Sequence, residues 1–182
     1  MRLHQLFLLS AAFVTACSSC GHEPARVHKP SEQQARRDSI ENERIQGHRQ
    51  FLKEERAHIE AYAQAMQWQL QPTGTGLYIQ VFSTGKGEKA QVGNRVKVQW
   101  YPMLLDGTLL YDGESTQALQ WRVEKEEAVA MGLHEVVQQM RAGDSARVVL
   151  PSHLAYGIAG ISEQVPMRSA LAGRIHLIEV QP

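Results

Sequence analysis

The sequence has two cysteines, Cys17 and Cys20, both among its first twenty residues. Whatever folds beyond them contains no cysteine, so disulfides contribute nothing to its stability. The pair spells C-x-x-C, but no strand precedes it and no helix pattern follows, which argues against a dithiol redox site. Formal net charge is zero, and there is no clustered basic face of the kind nucleic acids require. The eight histidines are scattered. His48 and His58 lack the i, i+4 spacing of metal ligands on a helix, and His22 and His28 fall in a polar stretch, so solvated or incidental roles are expected. Gly74-Thr75-Gly76 and Gly85-Lys86-Gly87 contain no G-x-x-x-x-G-K-[ST] and open no helix after a strand, so they are expected in turns, not around phosphate.

Long apolar runs are also missing. The longest, Leu6 to Val14, follows Arg2 and is far shorter than the ~20 residues of a membrane-spanning helix. It reads as a secretory signal over residues 1–16. Val14-Thr15-Ala16-Cys17 resembles a bacterial lipobox, in which Cys17 would be acylated and become the new N-terminus. Each buried CH₂ contributes ~0.8 kcal/mol, so two or three chains anchor stably. By resemblance to Gram-negative lipoproteins, Ser18, with no Asp after the cysteine, would favour the outer membrane facing the periplasm. Residues 17–38, with Gly21, Pro24, Pro30 and paired charges, read as a flexible tether.

Residues 39–70 follow a helical pattern, with Ile40, Ile45, Leu52, Ile59, Tyr62, Met66 and Leu70 at near-helical intervals. Ser31 with Gln34 forms a possible capping box, and Ser39 is a second possible cap. Gly47 is expected to interrupt the helix. Glu54, Glu55 and Glu60 with Lys53 and Arg56 describe a solvated face. The apolar stripe is thin and has no sustained heptad, so packing on its own domain is favoured over pairing two chains, although a homodimer through 40–70 stays open.

Gln71-Pro72-Thr73-Gly74 ends this segment, and 71–182 reads as one domain. Strands are expected at 76–83, 94–105, 108–111, 118–123, 145–151 and 171–180. Val96, Val98 and Trp100 alternate with polar neighbours, as do Leu119, Trp121 and Val123, which is the period of a half-buried antiparallel sheet. One helix near 130–140 carries Leu133, Val136, Val137 and Met140 on one side, and Arg141-Ala142-Gly143-Asp144 turns the chain into the next strand. The class is α+β, an antiparallel sheet wrapped around one short helix and preceded by a helical segment.

The sheet and its loops carry Trp100, Tyr111, Trp121 and Tyr156, with Asp112 beside Tyr111. Aromatics in strands are commonly core, and an Asp after a turn commonly caps backbone. The same set also supplies what catalysis of a twisting amide needs: apolar walls, one or two donors and a rigid frame. In order and spacing, Asp106-Gly107-Thr108, Tyr111-Asp112, Val129-Ala130-Met131-Gly132 and Ala155-Tyr156-Gly157 resemble the FKBP-type peptidyl-prolyl isomerase domain over roughly Gly76 to Glu179. The arrangement with a lipobox resembles FKBP-domain lipoproteins of Gram-negative bacteria, including those associated with gliding motility.

That resemblance implies an isomerase of X–Pro bonds that assists exported envelope proteins and uses no cofactor, metal or nucleophile. Tyr156 and the Ala130 N–H would hold substrate carbonyls, and Asp112 would order the surroundings of the twisted amide. Trp100, Tyr111, Trp121, Val129, Leu133 and Val165 would form the walls. Trp100 stands at a tyrosine position of the family, Leu119 and Trp121 stand where phenylalanines are usual, and two further positions depart more. Leu133 stands where a floor tryptophan is usual, and Gly173 falls at an aromatic wall, with Trp121 expected to fill part of the space. A looser pocket, weak activity and poor macrolide binding are therefore expected. The alternative is a non-catalytic chaperone or binding module on the same fold.

Overall fold

The computed structural model describes residues 31–110, 118–161 and 164–182. The chain divides into two units between Glu41 and Asn42. In the first, Ser31 caps the opening of helix α1 (Glu32–Ala65). Its Oγ accepts the Gln34 N–H at 3.2 Å, satisfying one of the orphan donors of the first turn. Residues 32–38 are thus helical where the sequence suggested tether. Gly47 does not interrupt α1: it is exposed and a side chain there would meet nothing, so its cost is entropic only, ~1 kcal/mol against alanine.

The second unit carries six strands: β1 (Gln71–Pro72), β2 (Tyr78–Ser83), β3 (Arg95–Leu104), β4 (Leu119–Arg122), β5 (Ser145–Leu150) and β6 (Leu171–Gln181). They form one sheet in the order β1-β2-β5-β6-β3-β4, with every neighbour antiparallel. Helix α2 (Met131–Gln138) lies between β4 and β5 in the chain. Residues 108–110 do not form the expected strand. They fold back on β3 through a turn, with a single bridge between Met103 and Leu109. The Thr108 N–H donates to the Asp106 carboxylate at 2.8 Å, which holds that carboxyl below its ordinary range.

Period-two patterning decides which face is buried. Val96 and Val98 on β3, Ala146, Val148 and Leu150 on β5, and Leu171, Ile175 and Leu177 on β6 point to one side. There they meet Leu133, Val136, Val137 and Met140, which α2 presents at helical spacing. On the opposite side one row crosses four strands: Tyr78 pairs with Val149, Val149 with Ala172, and Ala172 with Met103. The second half of α1 covers that row with Ile59 and Tyr62, joined by Trp68 from the segment after it. Helix and sheet therefore pack within one unit. Glu55, expected on a solvated face, is buried at this junction.

Candidate functional site

A concavity of about 740 Å³ opens beside the first turn of α2. Its described lining is the continuous segment Glu124–Met131, His134 of α2, and Ala155 and Tyr156 from the loop after β5. The size falls within the ~300–1,000 Å³ typical of pockets that take small ligands or short peptides.

Ala130 sits at the N-cap of α2 with extended backbone (φ −53°, ψ 132°), and its carbonyl accepts the Leu133 N–H at 2.9 Å. Among the described residues the Ala130 N–H has no hydrogen-bond partner, so a donor is left at the pocket edge, where the helix dipole also favours an acceptor. Tyr156 follows a single 3₁₀ turn, Ser152–Leu154. The Ser152 carbonyl accepts the Gly157 N–H at 2.7 Å and shares the Ala155 N–H (3.2 Å) with the Pro151 carbonyl (3.0 Å), so the amides before and after Tyr156 are both tied to the turn that precedes it.

The structure brings Val129, Ala130 and Tyr156 together around this space. It places Trp121 and Leu133 elsewhere, with 1% and 2% of their surfaces exposed, in the core beneath the pocket. Val165 is buried in the same cluster, and Trp100 packs against it half-exposed. Among the described residues, none of these four lines the concavity. Tyr111, Asp112 and Cys17 lie outside the described residues.

Gly173 is not an empty wall. A Cβ built there would lie 2.9 Å from Cη2 and Cζ3 of Trp100 and would collide with the backbone oxygen of Tyr101. Trp100, and not Trp121, occupies the space. The larger ring on β3 and the missing side chain on β6 compensate each other.

Sequence reasoning missed His134. It is buried, and its Nδ1 accepts the Glu124 N–H at 2.9 Å. Its Nε2 lies 3.0 Å from the Glu126 carbonyl, which can only accept, so the ring is neutral with the proton on Nε2. The Gln138 side chain adds a bond to Glu124 Oε1 at 2.8 Å, and the Arg122 N–H donates to Glu126 Oε1 at 2.9 Å. The imidazole stands edge-on to Trp121, with ring centres 6.0 Å apart. The signal was present: His134 is a polar residue next to Leu133 and three before Val137, on the apolar side of a short helix.

A family model of the FKBP-type peptidyl-prolyl cis-trans isomerase matches residues 86–178. The chain is 32% identical over 112 residues to the FKBP-type peptidyl-prolyl cis-trans isomerase FkpA of Escherichia coli, a match covering 60% of this chain and 40% of that protein. The matched segment thus spans about two fifths of the length of that relative. A 1.6 Å crystal structure of a peptidyl-prolyl cis-trans isomerase from Pseudomonas syringae pv. tomato superposes with a TM-score of 0.62 at 27% identity, covering 74% of this chain and 96% of that one. The crystal structure of FkpA from Escherichia coli superposes with a TM-score of 0.60 at 26% identity, covering 85% of this chain and 75% of that one.

Proposed function

The chain belongs to the FKBP-type peptidyl-prolyl cis-trans isomerase family, and on that premise we propose that it accelerates rotation about X–Pro peptide bonds in exported polypeptides. Resonance sets the barrier at ~18–20 kcal/mol. A catalyst need only bind the twisted amide better than the planar one. The observation that carries the reading is the convergence of Tyr156, Val129 and the Ala130 N–H on one concavity. Two donors on rigid elements would hold the carbonyls flanking proline while the apolar rim takes the ring. Asp112 would order the surroundings of the amide nitrogen.

The pocket is proposed to be a weak one, because Leu133 lies in the core and does not supply an aromatic floor. Macrolide binding would be correspondingly poor. We further place the protein at the outer membrane, facing the periplasm and anchored through acylated Cys17, with folding proteins of the cell envelope as clients. The exposed Ile40, Ile45 and Leu52 of α1 leave homodimer formation as a further proposal.

The test is an isomerase assay on the full chain with a panel of X–Pro peptides, against Tyr156→Phe. Acceleration that falls about two- to tenfold in the variant, the size of one hydrogen bond, supports the assignment. A folded protein that gives no acceleration overturns it. A second reading, a chaperone module that grips chain without catalysis, is favoured by Met131, which is 69% exposed on the pocket rim and whose flexible thioether suits unspecific apolar contact. Suppressed aggregation of a proline-free client, without isomerisation, would select it.

A further inference from the structure

Helix α1 holds the Tyr156 loop at two points. At the first, Glu55 Oε1 accepts the Ser152 N–H at 2.7 Å. Glu55 is 8% exposed and Ser152 4%. The carbonyl of the same Ser152 accepts from the Ala155 and Gly157 amides that bracket Tyr156. The carboxylate, the Ser152 residue and the two amides therefore form one hydrogen-bonded series ending at the tyrosine.

At the second point, Phe51 lies one helical turn before Glu55, on the same side of α1. The Arg168 guanidinium stacks over its ring, 5.2 Å from the ring centre. The Arg168 N–H donates to the Gly157 carbonyl at 3.0 Å. Arg168 has φ +55°, a left-handed conformation that a non-glycine residue holds only with support from its surroundings.

A buried carboxylate is costly unless it is hydrogen-bonded, and an aliphatic side chain would fill the site more cheaply. Its value lies in fixing the position of what it binds. We propose that Glu55, assisted by Phe51, is a positioning residue for the isomerase reaction, acting through Ser152 to set the Tyr156 hydroxyl relative to the Ala130 N–H. The inference rests on the reading of Tyr156 as a group that holds a substrate carbonyl. It assigns to α1, which lies outside the matched family segment, a direct part in the geometry of the site.

The experiment is a double-mutant cycle on the full chain, measuring kcat/KM for one X–Pro peptide with Glu55→Ala, Glu55→Gln, Tyr156→Phe and Glu55→Ala/Tyr156→Phe. Amide hydrogen exchange at Ala155, Gly157 and Val148 is measured on the same proteins. Glu55→Ala is expected to lower kcat/KM about tenfold, as small misplacements of a catalytic group do. Glu55→Gln keeps an acceptor oxygen and is expected to recover most of the rate. In the Tyr156→Phe background Glu55→Ala is expected to add little, because both remove the same contribution. Exchange is expected to rise at Ala155 and Gly157 and to hold at Val148.

Multiplicative losses in the double variant, or an unchanged rate in Glu55→Ala, would overturn the proposal. If Glu55→Ala does not fold, Phe51→Ala, which removes a half-exposed ring, goes through the same cycle with the same expectations. If Tyr156→Phe alone leaves the rate unchanged while exchange still rises in Glu55→Ala, the assignment of the tyrosine has failed. The catalytic role of Glu55 falls with it, and the mechanical coupling of α1 to the loop stands apart from that failure.

Discussion

The six-membered ring of Trp100 stands where a side chain at Gly173 would project, with two of its carbons 2.9 Å from the Cβ position. Gly173→Ala is therefore expected to destabilise the fold, although alanine is intrinsically better than glycine inside a strand. Overpacking a core position costs about 1–3 kcal/mol. Replacing Trp100 by alanine would free only part of the space, because the Tyr101 backbone oxygen also blocks it. Urea unfolding should place Gly173→Ala below the parent protein, and Trp100→Ala/Gly173→Ala below Trp100→Ala. Equal midpoints within the second pair would show that the strand backbone yields.

Gly132 tests the contact between α2 and the tyrosine loop. A Cβ there would come within 2.7 Å of a Leu150 methyl and 2.9 Å of the Leu154 carbonyl oxygen. The leucine side chain can move, but the carbonyl belongs to the turn that leads into Tyr156. Gly132→Ala should lower stability by about 1–3 kcal/mol and kcat/KM by more than that loss of folded protein explains. Rates corrected for the folded fraction make the distinction. Parent-like corrected rates would mean that the loop is positioned independently of α2.

His134 makes a different prediction, because it holds the opposite wall. His134→Ala removes the acceptor for the Glu124 N–H and the donor to the Glu126 carbonyl. Stability should fall by about 1–3 kcal/mol, the cost of leaving buried polar groups unpaired. The segment 124–126 should show the largest rise in amide exchange. Uniform protection loss across the sheet would instead mark His134 as a simple core residue.

The sheet and its core were legible because alternation is local information. Val96 and Val98 declare the buried side of β3 within a few residues, and Leu133, Val136 and Val137 declare the buried side of α2. The same local reading could find Val129, Ala130 and Tyr156 because each lies in a short word. Gly173 was misread as a space with nothing to pack, since its partner lies on another strand and only the β3–β6 register, which pairs Trp100 with Ile175 and Pro102 with Gly173, brings them together. Glu55 looked like one more charge on a solvated helix. Its burial depends on where the second half of α1 meets the sheet, which no helical period encodes. Trp121 looked like a pocket wall because aromatic residues serve both uses, and only depth separates them.

The row under α1 predicts a response to alkaline pH. Tyr62 packs against Trp68 edge-on, with ring centres 5.6 Å apart, and its hydroxyl donates to the Met103 sulfur at 3.3 Å. Burial raises its pKa above the ordinary value of 10.0. A phenol whose folded-state pKa exceeds its unfolded-state value stabilises the fold fully below the unfolded value. That stability is lost as pH rises through the folded one. Tyr78, on the row that Tyr62 covers, is also raised by burial, opposed by nearby Arg56. Unfolding midpoints should therefore begin to fall as pH approaches the unfolded value of about 10 and go on falling above it. Tyr62→Phe should fall less steeply, keeping the part that belongs to Tyr78. At neutral pH the variant should lie within about 1 kcal/mol of the parent, since one weak hydrogen bond to sulfur is lost. Parallel slopes for the two proteins would mean that Tyr62 ionises as freely in the folded chain as in the unfolded one, and that the sheet row and Trp68 do not shield it from solvent.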